Sequence, residues 1–260
     1  MKVAAIQIEI TEANPNINRD RVDSLLEESA SADLYLLPEL WSSGYCHKQW
    51  QQIAERDTPI TTNWMAKLAR KRNAWFGGTV IFQDEQEKLY NRFFLFNRSG
   101  RLVGYYDKVH LFPLMDEDQY LQPGKILFIT DVDGFRVALA TCYDLRFPEM
   151  FRKMALDGID LFLVPCEWPA SRKDTLVTLA AARAIESQAY LVLANRVGFD
   201  SAGQLFAGKS AIFGPQGMLN MAESDEQNIV SYDIDKQELI SSRNILPVLK
   251  HRIQGIDYDI

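Results

Sequence analysis

Two kinds of pattern alternate along the chain. Residues 3–8, 34–37, 137–140, 161–164 and 190–194 are nearly unbroken apolar runs, as expected of strands buried on both faces. Between them lie segments with helical spacing. Residues 14–18 read as a turn leading into a helix that puts Ile17, Val22, Leu25 and Leu26 on one side. Thr61 or Thr62 is placed to cap a helix carrying Trp64, Met65 and Leu68 inward. Helices are also predicted over residues 149–156, ended by Gly158, over 174–187 and over 236–242. Residues 75–82 and 89–97 form a hairpin across the polar link 83–88, and 102–106 adds a third strand. Residues 126–130 and 135–140 flank the turn signal Asp133-Gly134. Residues 211–214, the turn 215–217 and residues 229–234 close a strand-rich region, while 41–46 and 108–124 are irregular. Strands and helices alternate with no linker or repeat, which defines one α/β domain.

Composition narrows the setting. A chain of 260 residues, 47% hydrophobic, can bury roughly three quarters of its unfolded surface. A formal net charge of -7 argues against nucleic acid or an anionic membrane as partner. It leaves small anionic substrates open, because a site can be locally basic. Cys46, Cys142 and Cys166 do not make a disulfide framework. His47, His110 and His251 are scattered, so no structural metal site is expected. The opening MKVAAIQIEI is too short and strand-like for a secretory leader, and no run is long enough to cross a bilayer. A reducing cytoplasm is the expected home, and it suits a free thiol.

Three strand ends carry reactive side chains. Glu39 follows one buried strand, Lys108 another, and Cys142 a third. Loops diverge at the carboxyl ends of strands in an α/β sheet and leave a crevice there. Pro148 and Glu149 suit the first turn of a helix. A thiol between strand end and helix start would meet free N–H groups and a positive dipole end, which favour thiolate. Taken singly, each residue has a plain reading: a small core cysteine, a solvated glutamate, a surface lysine beside Asp107.

Together they match a family. LLPELWSSGY, YDKVHLFP and CYDLRFPE, in that order, with AAIQIEI before and AAARAIESQAYLVLANRVG after, resemble the motifs of the nitrilase, or carbon–nitrogen hydrolase, superfamily over nearly the whole chain. The resemblance implies a four-layer α-β-β-α sandwich over residues 1–244, a tail over 245–260 in a homodimer interface, and Glu39, Lys108 and Cys142 as a catalytic triad. It implies a supporting role for Glu117 in LMDEDQYLQPG, where a run of solvated acids is the plain alternative. The omega-amidase-like branch is the nearest in pattern. Trp168-Pro169 and Arg172 fit it, whereas Thr175 stands in place of a tryptophan, Glu167 in place of a neutral residue and Lys209 in place of an acid or histidine.

The chemistry expected is hydrolysis of a linear amide through a thioester, with no metal or cofactor. Glu39 would be the base and Cys142 the nucleophile. Lys108 and the backbone N–H of Tyr143 would hold the oxyanion. Arg172 is a candidate for a substrate carboxylate, or a surface arginine paired with Asp174 or Glu167. N-carbamoyl compounds and nitriles are alternatives for the same triad. So are a non-catalytic binding protein on this fold and a redox sensor using Cys142 with Cys166.

Overall fold

The computed structural model describes residues 1–56, 59–223 and 225–253. Among them, twelve strands form two six-stranded sheets. The first contains β1 (Lys2–Gln7), β2 (Leu34–Leu36), β3 (Trp75–Gln83), β4 (Leu89–Phe96), β5 (Leu102–Asp107) and β12 (Asn228–Asp233). Its order is β12-β1-β2-β3-β4-β5. The second contains β6 (Ile129–Val132), β7 (Phe135–Leu139), β8 (Leu161–Cys166), β9 (Tyr190–Asn195), β10 (Ala211–Gly214) and β11 (Gly217–Met221). Its order is β11-β10-β9-β8-β7-β6. β1, β2 and β3 run parallel, as do β7, β8 and β9. The helices are α1 (Pro15–Glu28), α2 (His47–Ile53), α3 (Thr61–Arg72), α4 (Glu117–Tyr120), α5 (Pro148–Leu156), α6 (Lys173–Ser187) and α7 (Lys236–Ile245).

Alternation within strands sorts the side chains into layers. Ala4, Ile6, Tyr35 and Phe76 pack with Val22 and Leu26 of α1 and Met65 and Leu68 of α3. Their neighbours Val3, Ala5, Leu34 and Leu36 face the other way and join Val137, Leu139 and Leu163 of the second sheet. Phe151 and Met154 of α5 and Leu176, Ala180 and Ala184 of α6 complete that cluster from outside. The result is helix, sheet, sheet, helix. Both faces of each inner strand are dry, which is why the strands read as continuous apolar runs.

Several local expectations change. The first helix begins at Pro15, inside the segment read as a turn, with Asn14 Oδ1 accepting from the Ile17 N–H at 3.2 Å. Asparagine before proline is a capping signal as much as a turn signal. Thr61 and Thr62 do not cap α3. Their N–H groups donate instead to the carboxylate of Glu55, at 2.8 and 3.2 Å. That partner lies six residues before Thr61, outside the spacing of a capping box. Helix α2 falls in a stretch, 47–53, for which the sequence pattern predicts no element, and strand β11 starts in the segment read as the turn 215–217. Of the expected tail, residues 254–260 lie outside the described residues. Before them, the Leu246 carbonyl accepts from Gln188 Nε2 at 2.6 Å, and Ile245, Leu246 and Ile253 are exposed.

Candidate active site

The carboxyl ends of β2, β5, β7 and β8 meet at one place. Glu39 lies three residues past β2, and its N–H donates to the Cys166 carbonyl at 3.4 Å. This bond ties the first sheet to the second. Lys108 directly follows β5, and its N–H donates to the Asn91 carbonyl at 3.0 Å. Cys142 opens a 3-10 turn, Cys142–Arg146, just past β7. Asp144 in that turn is buried. It accepts from the N–H of Thr141 at 2.8 Å and from the hydroxyl of Tyr106 at 2.7 Å. It also accepts from the N–H of His110 at 3.1 Å and lies 2.7 Å from its Nδ1. One carboxylate thus holds the Cys142 turn against the segment that carries Lys108. His110 therefore serves as a structural hydrogen-bonder.

Glu39, Lys108 and Glu117 are fully buried. Lys108 Nζ donates to Glu39 Oε1 at 2.8 Å and to Glu117 Oε2 at 2.6 Å. The Tyr45 hydroxyl, with one proton to share, lies 3.1 Å from Glu39 Oε1 and 2.9 Å from Glu117 Oε1. Asn91 Nδ2 reaches the same two oxygens at 2.8 and 3.2 Å. The remaining oxygen of Glu39 accepts from the Glu167 N–H at 3.0 Å, and Glu117 Oε2 from the Phe112 N–H at 2.6 Å. Glu117 is therefore no solvated acid, although Asp116 and Asp118 beside it are not fully buried. Burial drives the Lys108 ammonium toward losing its proton, but Glu117 and Glu39 more than offset this and hold it charged. Burial also raises the Glu39 carboxyl, with Lys108 pulling it down and Glu117 pushing it up. An ammonium shared by two carboxylates leaves one net negative charge in a dry site, so a proton is readily taken up there.

Cys142 and Glu39 perturb each other's proton affinity, and the thiol is pushed well above the ordinary cysteine range. Burial is the main cause, and the Cys166 thiol and the Glu39 charge add to it. This corrects the expectation of a resting thiolate. Helix α5 begins only at Pro148, and one 3-10 turn does not repay the loss of water. The resting thiol is neutral, beside a carboxylate that can take its proton.

Cys142, Tyr143 and Trp168 line a narrow pocket together with Phe112, Arg146, Glu167, Pro169 and Arg172. The Tyr143 N–H sits in the first turn of the 3-10 segment, where N–H groups lack partners within the turn. Arg172 is half-buried, with its guanidinium 5.8 Å from the Phe112 ring. Glu167 pairs instead with the buried Arg196, at 3.1 Å, so the expected Arg172–Glu167 alternative is not formed. Arg146, which the sequence reading passed over, lies 4.9 Å above the Trp168 ring. Two pocket-lining residues carry buried polar atoms with no protein partner among the described residues, Glu167 Oε1 and Trp168 Nε1. Thr175 and Lys209 do not line the pocket; Thr175 is exposed and Lys209 pairs with Asp225 at 3.4 Å. Tyr45 and Asn91 were also missed. A lone asparagine amid the apolar residues of β4 was the available signal.

Burial raises the Glu167 carboxyl to about 8, against the pull of Arg196 and helped by Glu39. The folded chain thus keeps a proton that the unfolded chain releases in the ordinary glutamate range. The associated stability is full at acid pH and is lost as pH rises from about 4.5 to about 8. Glu167→Gln keeps an acceptor for Arg196 and removes the titration. Measured by urea unfolding, the variant gains on the wild type between pH 5 and 8, by an amount on the order of a few kcal/mol. A difference between the two that stays constant across that range excludes the effect.

Two six-stranded sheets between helices, with a buried carboxylate–ammonium–carboxylate group beside a thiol, describe a hydrolase fold, and the comparisons with known proteins agree. The family model "Carbon-nitrogen hydrolase" matches residues 2–244. The chain is 32% identical over 247 residues to 2-oxoglutaramate amidase of Bacillus subtilis, covering 95% of each. It is 34% identical to Omega-amidase YafV of Escherichia coli K12, covering 90% of this chain and 89% of that one. A mutant of the amidase from Nesterenkonia sp. AN1, solved with acrylamide added at the active site cysteine, superposes with a TM-score of 0.81 at 26% identity, covering 95% and 98%. The chain belongs to the carbon–nitrogen hydrolase family. Within it, this protein is a cysteine-dependent amidase.

Proposed function

We propose that the protein hydrolyses small ω-amides that carry a carboxylate, with Cys142 as nucleophile. The observation that carries this reading is the buried Glu39–Lys108–Glu117 group at the strand ends that also carry Cys142. Glu39 takes the thiol proton as sulfur attacks the amide carbonyl. Lys108 and the Tyr143 N–H receive the developing oxyanion. Glu39 passes its proton to the leaving ammonia and then activates the water that cleaves the thioester. Glu117 holds Lys108 in place and charged, while Tyr45 and Asn91 fix both carboxylates. The 2-oxoglutaramate and omega-amide names of the relatives favour a short dicarboxylate mono-amide as substrate.

Arg172 binds the carboxylate end of that substrate, with Trp168 as the pocket wall. Arg172→Ala raises KM for acidic amides about ten- to a hundredfold, the worth of one charge-assisted bond, and leaves kcat and neutral amides little changed. Ammonia release across ω-amides, N-carbamoyl amino acids and nitriles tests the whole reading. Preference for N-carbamoyl compounds or nitriles overturns the substrate class. Unchanged KM for acidic amides in the variant removes Arg172 from the site.

The same reading takes residues 1–244 as the catalytic domain, working in the cytoplasm without a cofactor, as part of a homodimer. The exposed apolar side chains of Ile245, Leu246 and Val248 support a dimer contact through the tail over 245–260. No helix among the described residues is long and apolar enough to cross a membrane.

A further inference from the structure

Cys166 is a buried nucleophile that amide hydrolysis does not use. It ends β8, whose register with β7 pairs Val137 with Leu161, Ala138 with Phe162 and Leu139 with Leu163. Each pair differs by twenty-four positions in the chain. The Ala140 N–H continues the ladder to the Leu163 carbonyl at 3.1 Å. Cys142 lies just beyond that ladder, in the 3-10 turn that packs against β8, and each thiol shifts the other's proton affinity. Adjacent strands lie about 4.8 Å apart, so the turn that follows β7 brings Cys142 to the end of β8, where a disulfide needs a Cα separation of roughly 4.4–6.8 Å. Both are free thiols. Cys142 lines the pocket and Cys166 has no exposed surface. Cys46, the remaining cysteine, is engaged elsewhere, with its sulfur 3.2 Å from the Ser43 carbonyl.

A small oxidant therefore meets Cys142 first and Cys166 only through it. We propose that Cys142 and Cys166 form an oxidisable pair, closed to a disulfide by a hydroperoxide entering the pocket and reopened by a dithiol. Glu39 removes the Cys142 proton, and the thiolate attacks one oxygen of the peroxide. The O–O bond breaks, sulfur takes a hydroxyl as sulfenic acid, and the second oxygen leaves as water or alcohol with the proton from Glu39. The Cys166 sulfur then attacks the Cys142 sulfur, the S–O bond breaks, and hydroxide leaves with the Cys166 proton as water. Two thiols are oxidised and one peroxide is reduced. The sulfur that attacks amides is then blocked, in a form that excess peroxide cannot carry on to sulfinic acid.

The test uses the full chain, reduced and then exposed to a small excess of hydrogen peroxide. The expected product has lost two hydrogens in mass and yields one peptide pair linking Cys142 to Cys166. Ammonia release falls with the appearance of that link and returns with dithiothreitol. Cys166→Ala, which lacks the resolving sulfur, is read against its own unoxidised turnover and ends as a sulfinic acid that dithiothreitol does not rescue. Absence of the cross-link in the oxidised wild type, or equal rescue of wild type and Cys166→Ala, overturns the proposal. A monosubstituted trivalent arsenical gives a second measurement on the wild type alone. A bridged pair releases it to a dithiol but not to a monothiol, and release to a monothiol counts against the pair. The mass and arsenical readouts do not depend on which amide is the substrate.

Discussion

Cys142→Ala stops ammonia release. The thiol is the group that forms the bond to the amide carbon, and alanine offers no nucleophile in its place. Loss of a nucleophile typically lowers turnover by on the order of 10⁴- to 10⁶-fold, because base and oxyanion donors then have nothing to act upon. The fold withstands the change. Cys142 has a left-handed backbone, φ 48°, and alanine bears about the same strain there. The lost sulfur contacts cost about 1 kcal/mol. A variant that melts with the wild type and retains more than about a hundredth of its turnover would refute the assignment.

Lys108→Ala is expected to cost both rate and stability. Its ammonium is the cation that bonds to Glu39 and Glu117, at 2.8 and 2.6 Å, and all three side chains are out of water. Removing one partner of a buried ion pair costs about 3–5 kcal/mol, since the charge left behind is neither solvated nor paired. Loss of one oxyanion donor alone lowers turnover by on the order of 100- to 1000-fold. The stability loss depends on pH. Without the ammonium that pulls it down, the Glu39 carboxyl is held further above the range of the unfolded chain. Stability is then present below the ordinary glutamate range and is lost as pH rises above it. Urea unfolding at pH 5 and pH 8 reads the effect, with Lys108→Met controlling for lost packing. Equal destabilisation at the two pH values, or turnover within tenfold of wild type, would remove Lys108 from the centre of the site.

The strands were legible because their apolar runs are local records of burial. The hairpin at Asp133-Gly134 and the helix break at Gly158 were legible because left-handed backbone selects residues locally; φ is 47° at Asp133, 85° at Gly134 and 80° at Gly158. Glu39, Lys108 and Cys142 stood out as reactive groups at strand ends, and a family pattern tied them together. The Glu55 cap, the role of Tyr45 and the Glu167–Arg196 pair were not legible. The first lies outside the spacing of a local cap, the other two join residues distant along the chain, and nothing in the local pattern says which buried donor meets which acceptor.

By itself the sequence determined the layered α/β architecture and the identity of the reactive groups, since periodicity and residue chemistry are properties of short stretches. The tertiary structure alone decided their ionisation. It placed Glu117 in a dry site with Lys108, raised the Cys142 thiol where a helix start had suggested a thiolate, and set the Cys166 sulfur against it. Proton affinity depends on how much water is excluded and which charges remain nearby, and both are set by segments that meet only when the chain has folded.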